Sequence, residues 1–238
     1  MLDAPVSDEW MQDVAAELRH SETAFVVPRA DGTYDLRWFT PASEVQLCGH
    51  ATLATAHVMA SRVASGPFAF HTHSGVLTAS VERGDVTLDF PSQPPASIDE
   101  PDGLADALGV TPRAMYGNGV DVLVEVADEA TVRGLSPDIA ALRGVDCRGV
   151  IVTSAANDRT DADFVSRFFA PRVGVDEDPV TGSAHCALAP FWAQRFGRTS
   201  LVGAQLSSRG GRIAVELRGD RVLLRGRAVT VLEGSLLG

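Results

Sequence analysis

Two short stretches of this sequence put reactive side chains at the start of a run of small residues. The first is Cys48-Gly49-His50, followed by Ala, Thr and Leu. The second is Asp178-Pro179-Val180-Thr181-Gly182-Ser183, followed by a similar run that contains Cys186. Each run reads as a helix opened by glycine. A helix start leaves backbone N–H groups unpaired and carries roughly half a positive charge, so it is a ready anion site. Glycine there lets a ligand approach the backbone closely. Two such ends facing one cleft would hold a carboxylate and stabilise negative charge developing beside it, which is what proton abstraction next to a carbonyl requires. Either glycine alone could simply start a core helix. Their company, Cys48, His50, Asp178 and Ser183, points to function.

The elements around these stretches also occur twice. Arg37-Trp38-Phe39-Thr40-Pro41 parallels Arg167-Phe168-Phe169-Ala170-Pro171, and an acidic loop follows each. Residues 74–88 parallel residues 210–224. Arg37 and Arg167 lie 130 apart, Gly49 and Gly182 133, and Gly84 and Gly219 135. Three blocks in one order at nearly one offset imply two similar halves. The Pro-rich stretch at 91–97 is the best linker. The expected domains are 1–92 and 98–224, with 225–238 returning to the first.

Ser7 is a plausible N-cap for a helix over 8–19, whose Trp10, Met11, Val14 and Leu18 share one face. Strands are expected at 23–28, 34–39, 68–73, 76–82, 86–90, 119–127, 149–154, 163–169, 212–218, 221–225 and 228–232. Short helices are expected near 101–108 and 136–143. The two Gly-led helices have almost no polar face and should be buried on all sides, with Pro190 kinking or shortening the second. Both Arg-Gly-Asp triplets, 83–85 and 218–220, read as hairpin turns. The economical architecture is α+β, with a curved, mostly antiparallel sheet wrapped around a central helix, made twice.

Composition narrows the function. Of 238 residues 45% are hydrophobic and 21% charged, and the formal net charge is −11 with no Lys/Arg-rich run. That argues against a nucleic-acid partner. No apolar run approaches the ~18 residues of a membrane span, and no signal peptide opens the chain. Three cysteines, Cys48, Cys147 and Cys186, make no disulfide framework. The expectation is a cytoplasmic protein with free thiols. No CxxC pair or HxxxH with a carboxylate partner suggests a metal site.

The stretches SETAFVV, RWFTP with LCGHATLA, and FFAP with EDPVTGSAHC resemble the PhzF-like phenazine-biosynthesis family, which shares the diaminopimelate-epimerase fold. The resemblance runs over nearly the whole chain. It implies two pseudo-symmetric domains with the active site in the cleft, and an isomerase that needs no cofactor and works by acid/base proton transfer on a small carboxylate. It assigns Glu22 as the general acid/base. His50, Asp178 and Ser183 would line the substrate, and the amides at Gly49 and Gly182 would hold it. A homodimer is expected. On residue type alone Glu22 could equally be a solvated turn residue. In a partly desolvated place its pKa should be raised, letting it shuttle a proton near neutral pH. Family members normally carry a further strand and a Gly-Asn-Pro turn before the point where Met1 stands, so an exposed edge is expected in the first sheet.

Two other readings stay open. Cys48-Gly49-His50 also resembles the first cysteine motif of the proline racemases, and a thiol at a helix start can have a lowered pKa and act as a base. Those enzymes oppose two cysteines, whereas the second copy here has Thr181. The third reading is a catalytically inactive ligand-binding protein.

Overall fold

The computed structural model describes residues 1–63, 66–157 and 161–236. The chain forms two compact units, Met1–Asp89 with Arg225–Gly238, and Phe90–Leu224.

Unit 1 opens with α1 (Asp8–Leu18). Ser7 accepts the Trp10 N–H at 3.2 Å, and Arg19 closes the helix with φ 53°. Met11 and Ala15 pack with Phe25 and Phe39, and the Trp10, Phe25 and Phe39 rings meet edge to face at 6.0 and 5.6 Å. There follow β1 (Thr23–Pro28), β2 (Tyr34–Phe39), β3 (Glu44–Val45), α2 (Gly49–Arg62), β4 (Phe68–Thr72), β5 (Gly75–Glu82) and β6 (Asp85–Pro91). The strand order is β1-β2-β4-β5-β6. Pairing is antiparallel except between β2 and β4, which α2 connects. Alternation is clear in β6, where Val86, Leu88 and Phe90 turn inward. Arg83 and Gly84 both have positive φ in the β5–β6 turn, as a type I′ hairpin requires. The backbone N–H of Leu2 donates to the Val26 carbonyl on β1, the last strand in that order among the described residues.

Unit 2 contains β7 (Ala96–Ser97), α3 (Leu104–Leu108), β8 (Ala114–Gly117), β9 (Asp121–Glu125), α4 (Glu129–Arg133), α5 (Ile139–Gly144), β10 (Gly149–Ala155) and β11 (Phe164–Phe169). A 3-10 turn at Pro171–Val173 leads to α6 (Gly182–Phe196), then β12 (Ser200–Gln205), β13 (Gly211–Arg218) and β14 (Arg221–Gly226). The order is β14-β13-β12-β11-β10-β9-β8-β7. The parallel pairs are β11 with β12, across α6, and β10 with β9. The hairpin β10–β11, the helix and the hairpin β12–β13 thus repeat the layout β1–β2, α2, β4–β5. The fold is α+β, two related sheet-and-helix units.

Several expectations are corrected. α6 is buried along most of its length, but α2 is not buried on all sides: Ala54 is exposed and Leu53, His57 and Val58 are partly so. Pro190 neither ends nor shortens α6. The carbonyl that its missing N–H would have served, that of Cys186, instead accepts the backbone N–H of Gln93 at 3.0 Å. Residues 228–232 form no strand, and Val229 and Val231 are 81% and 92% exposed. β8, α4 and β12 were not foreseen. The second hairpin turn is centred on Gly219-Asp220, one residue later than the triplet's counterpart in the first.

Candidate active site: two helix starts

The repeated sequence block is a structural brace. In unit 1 the Arg37 guanidinium donates to both Glu44 carboxylate oxygens at 2.7 Å and lies 5.2 Å from the Phe39 ring. In unit 2 Arg167 donates to both Glu177 oxygens at 2.6 and 2.9 Å and lies 5.0 Å from the Phe169 ring. Bidentate charge-assisted pairs fix geometry as well as energy. Each brace ties a strand to the loop that delivers the following helix start.

In unit 1 that loop ends at Cys48, the N-cap of α2, so Gly49 and His50 are its first two residues. Thr52 fastens the start by donating its hydroxyl to the Cys48 carbonyl at 2.6 Å. Glu22, immediately before β1, reaches the same place. Its carboxylate is 2.8 Å from His50 Nε2, with side chains 11% and 30% exposed. Ser21 Oγ is 3.4 Å and Cys48 Sγ 3.8 Å from that nitrogen.

These neighbours set the protonation states. Burial pushes the Glu22 carboxyl up, but the His50 hydrogen bond and charge, helped by Ser21 and Cys48, outweigh it and hold the group below the ordinary glutamate range. The raised pKa expected from desolvation alone is therefore corrected: Glu22 is an ionised base at neutral pH. Burial pushes the Cys48 thiol up, more than His50 pulls it down. The helix start does not activate this cysteine. Glu22, Cys48 and His50 bring one donor atom each within 4.8 Å of one another, close enough for a soft divalent ion.

Unit 2 is built differently. Thr181 is the N-cap of α6, and Gly182 and Ser183 begin the helix. The Thr181 hydroxyl donates to buried Asp178 at 2.7 Å. Asp178 thus orients the capping residue. Gln205, at the end of β12, accepts the Thr181 N–H at 2.8 Å and donates to the Asp178 carbonyl at 2.6 Å. His185 does what Thr52 does in unit 1: its Nδ1–H donates to the N-cap carbonyl, Thr181 O, at 2.8 Å. Burial pushes the His185 pKa down to about 4, so the ring is neutral. The Ser183 hydroxyl lies 3.1 Å from Arg148 Nη2.

The residues anticipated from sequence thus fall into two groups, Glu22, Cys48, Gly49 and His50 in unit 1, and Asp178, Gly182 and Ser183 in unit 2. Sequence reasoning missed Arg148, Asp121 and Gln205. Polar residues at or beside the ends of strands were their only signal.

The sequence model of the phenazine biosynthesis-like protein family, PhzC–PhzF, matches residues 1–234, and the chain belongs to that family. An "uncharacterized isomerase" of Pseudomonas aeruginosa is 49% identical over 237 residues, covering 99% of this chain and 90% of that protein. A protein of the same description from Halalkalibacterium halodurans is 48% identical over 235 residues, covering 97% and 88%. Among solved structures, a PhzF-family protein of Enterococcus faecalis superposes with a TM-score of 0.89 at 40% identity, covering 95% of this chain and 86% of that one. A PhzC/PhzF protein of Clostridium difficile gives 0.90 at 39% identity, covering 99% and 90%. A hydroxyproline epimerase of Agrobacterium vitis shares the fold only, with a TM-score of 0.54 at 13% identity over 87% of this chain and 71% of that one.

Proposed function

We propose that the protein is a cofactor-independent isomerase of a small carboxylate-bearing metabolite, with Glu22 as its acid/base. The observation that carries this is the largely buried Glu22 carboxylate, 2.8 Å from His50 at the start of α2. In the reaction, Glu22 takes a proton from a carbon next to an unsaturated or carbonyl group. The C–H electron pair moves into the conjugated system as an enolate-type anion. The protonated Glu22, which exchanges its proton with solvent while the anion is bound, then protonates a different carbon, so the product is an isomer and nothing is consumed. The amides at Gly49 and Gly182 hold the anion, and His50, Asp178 and Ser183 position it. Family membership and the description of close relatives as isomerases support the reading. The raised thiol pKa of Cys48 counts against a cysteine base. Three free thiols, Cys48, Cys147 and Cys186, suit the cytoplasm, where we place it as a homodimer.

The test is hydrogen exchange. The protein is incubated with a panel of small unsaturated and cyclic carboxylates in deuterated water, and substrate mass is followed. Wild type should label at least one acid, with activity persisting to a pH below the ordinary glutamate range because Glu22 stays ionised there. A protein that binds acids of the panel but labels none would be the inactive ligand binder instead.

A further inference from the structure

Unit 2 holds a pocket of about 740 Å³. Its walls include Ile98, Val120, Val122 and Val173, and two guanidinium groups, Arg148 and Arg172, line it as well. Arg148 stands just before β10 and is held by Asp121, which lines the pocket too, as does Asp146. Its Nε and Nη2 donate to the two carboxylate oxygens of Asp121 at 2.9 and 2.5 Å, and the Asp121 side chain is completely buried. Nη2 also donates to Ser183 Oγ at 3.1 Å. Nη1 has no hydrogen-bond partner among the described residues. The next residue makes this geometry possible: a Cβ on Gly149 would lie 2.3 Å from the Phe168 ring and 3.2 Å from Asp121 Oδ1. Arg172 is fastened through Nη1 to the Val145 carbonyl at 3.1 Å and to Asp146 at 2.7 Å.

We infer that this pocket binds the carboxylate of a small acid with an apolar body, with Arg148 Nη1 as the principal donor and Arg172 as the second cation. Ligand sites combine apolar walls with a few placed polar groups, and guanidinium is the donor best matched to a carboxylate. Asp121 is a positioning residue. It fixes the guanidinium plane so that the unused edge is presented without further loss of side-chain freedom. The Ser183 contact links the pocket to the first turn of α6. The inference rests on the isomerase reading in one respect only, that the bound acid is the substrate.

The test is direct binding, by calorimetry or ligand-observed NMR, of benzoate and cyclohexanecarboxylate beside their neutral primary amides. The acids should bind and the amides should not. Arg148→Gln should weaken the acids at least ~10-fold, the scale of one lost charge-assisted hydrogen bond, and Arg172→Gln should weaken them less. Thr72→Val, on β4 of unit 1, should leave them unchanged. Because Arg148→Gln strands buried Asp121, two further variants accompany it. Asp121→Asn/Arg148→Gln removes both charges, and Val120→Trp fills the pocket while sparing the ion pair; both should lose acid binding. Three outcomes overturn the inference: equal binding of acids and amides, acid binding that survives both of these variants, or no acid bound at millimolar concentration. The isomerase reading fails separately. Arg148-dependent binding without hydrogen exchange leaves the pocket standing and removes the enzyme. Glu22-dependent exchange with Arg148-independent binding does the reverse.

Discussion

The starts of α2 and α6 are one scaffold set in two different surroundings. Both carry the arginine–glutamate brace, both begin with glycine, and in both a side chain at the fourth helical position, Thr52 or His185, ties down the N-cap carbonyl. The difference lies in what surrounds the cap. Unit 1 gathers groups that can exchange protons, Glu22, His50 and Cys48. Unit 2 gathers a network in which Asp178, Thr181 and Gln205 are hydrogen-bonded together and His185 stays neutral. After a duplication the backbone frame can persist while, on the proposed reading, one copy takes up proton transfer and the other becomes a rigid dipole. The brace explains why: it sets the loop and helix start without using any group at the cap.

The largest effect expected from this contrast is at the ends of β4 and β12. Gln205→Leu removes the partners of the Thr181 N–H and the Asp178 carbonyl. It should cost about 3 kcal/mol or more, since each stranded buried group costs ~1–3 kcal/mol. Thr72, which ends β4 as Gln205 ends β12, donates to the Gly75 carbonyl and accepts the Ser74 N–H, both at an exposed turn. Thr72→Val should cost less than about 1 kcal/mol. Equal losses in denaturant melts would break the claim that only unit 2 depends on such a network.

Next comes acid. The folded-state pKa of His185 is depressed from 6.5 to about 4. A depressed histidine makes the unfolded state bind more protons, so the stability it allows is full above pH 6.5 and declines towards about 4. The decline should approach ~3 kcal/mol. His185→Phe cannot titrate, and its stability–pH curve should lack that part of the acid limb. An unchanged limb would mean that His185 is charged when folded.

A smaller contrast concerns the braces. Arg167 and Glu177 have side chains 12% and 23% exposed, Arg37 and Glu44 25% and 27%. Arg167→Met should therefore lower the melting temperature more than Arg37→Met, with losses of about 1.5–3 kcal/mol at most. The reverse order would sharpen the comparison against unit 2. Smallest of all is Pro190→Ala. The Cys186 carbonyl already has Gln93, so the restored N–H gains little, and stability should change by less than about 1 kcal/mol.

These particulars show what the sequence could reveal. The duplication was legible because the brace needs an arginine, an aromatic two residues on and a glutamate in the segment that follows. Cys48, His50 and Ser183 were legible because each lies beside a helix-opening glycine, and Asp178 because it lies four residues before one. Glu22 was not legible from its residue type, since only the fold carries it across 28 positions to His50; resemblance supplied it. β12 was hidden by Gly203, where a Cβ would lie 2.6 Å from the Phe164 ring and 3.0 Å from His185 Nε2. Residues 228–232 misled in the opposite way: their composition suits a strand, but no ladder partner meets them among the described residues. Arg148 and Asp121 meet 27 positions apart, beyond any local pattern.

The central claim is that the proton-moving group lies in unit 1 and is the carboxylate, not the thiol. The most direct measurement is the rate of deuterium incorporation into a labelled acid for Glu22→Gln and Cys48→Ala side by side. Glu22→Gln keeps the shape but cannot accept the proton, and should lose ~10²–10⁴-fold, the usual cost of a missing general base. Cys48→Ala should stay within about tenfold of wild type, because its thiol is buried and protonated. An inactive Cys48→Ala beside an active Glu22→Gln would contradict the account and make Cys48 the base.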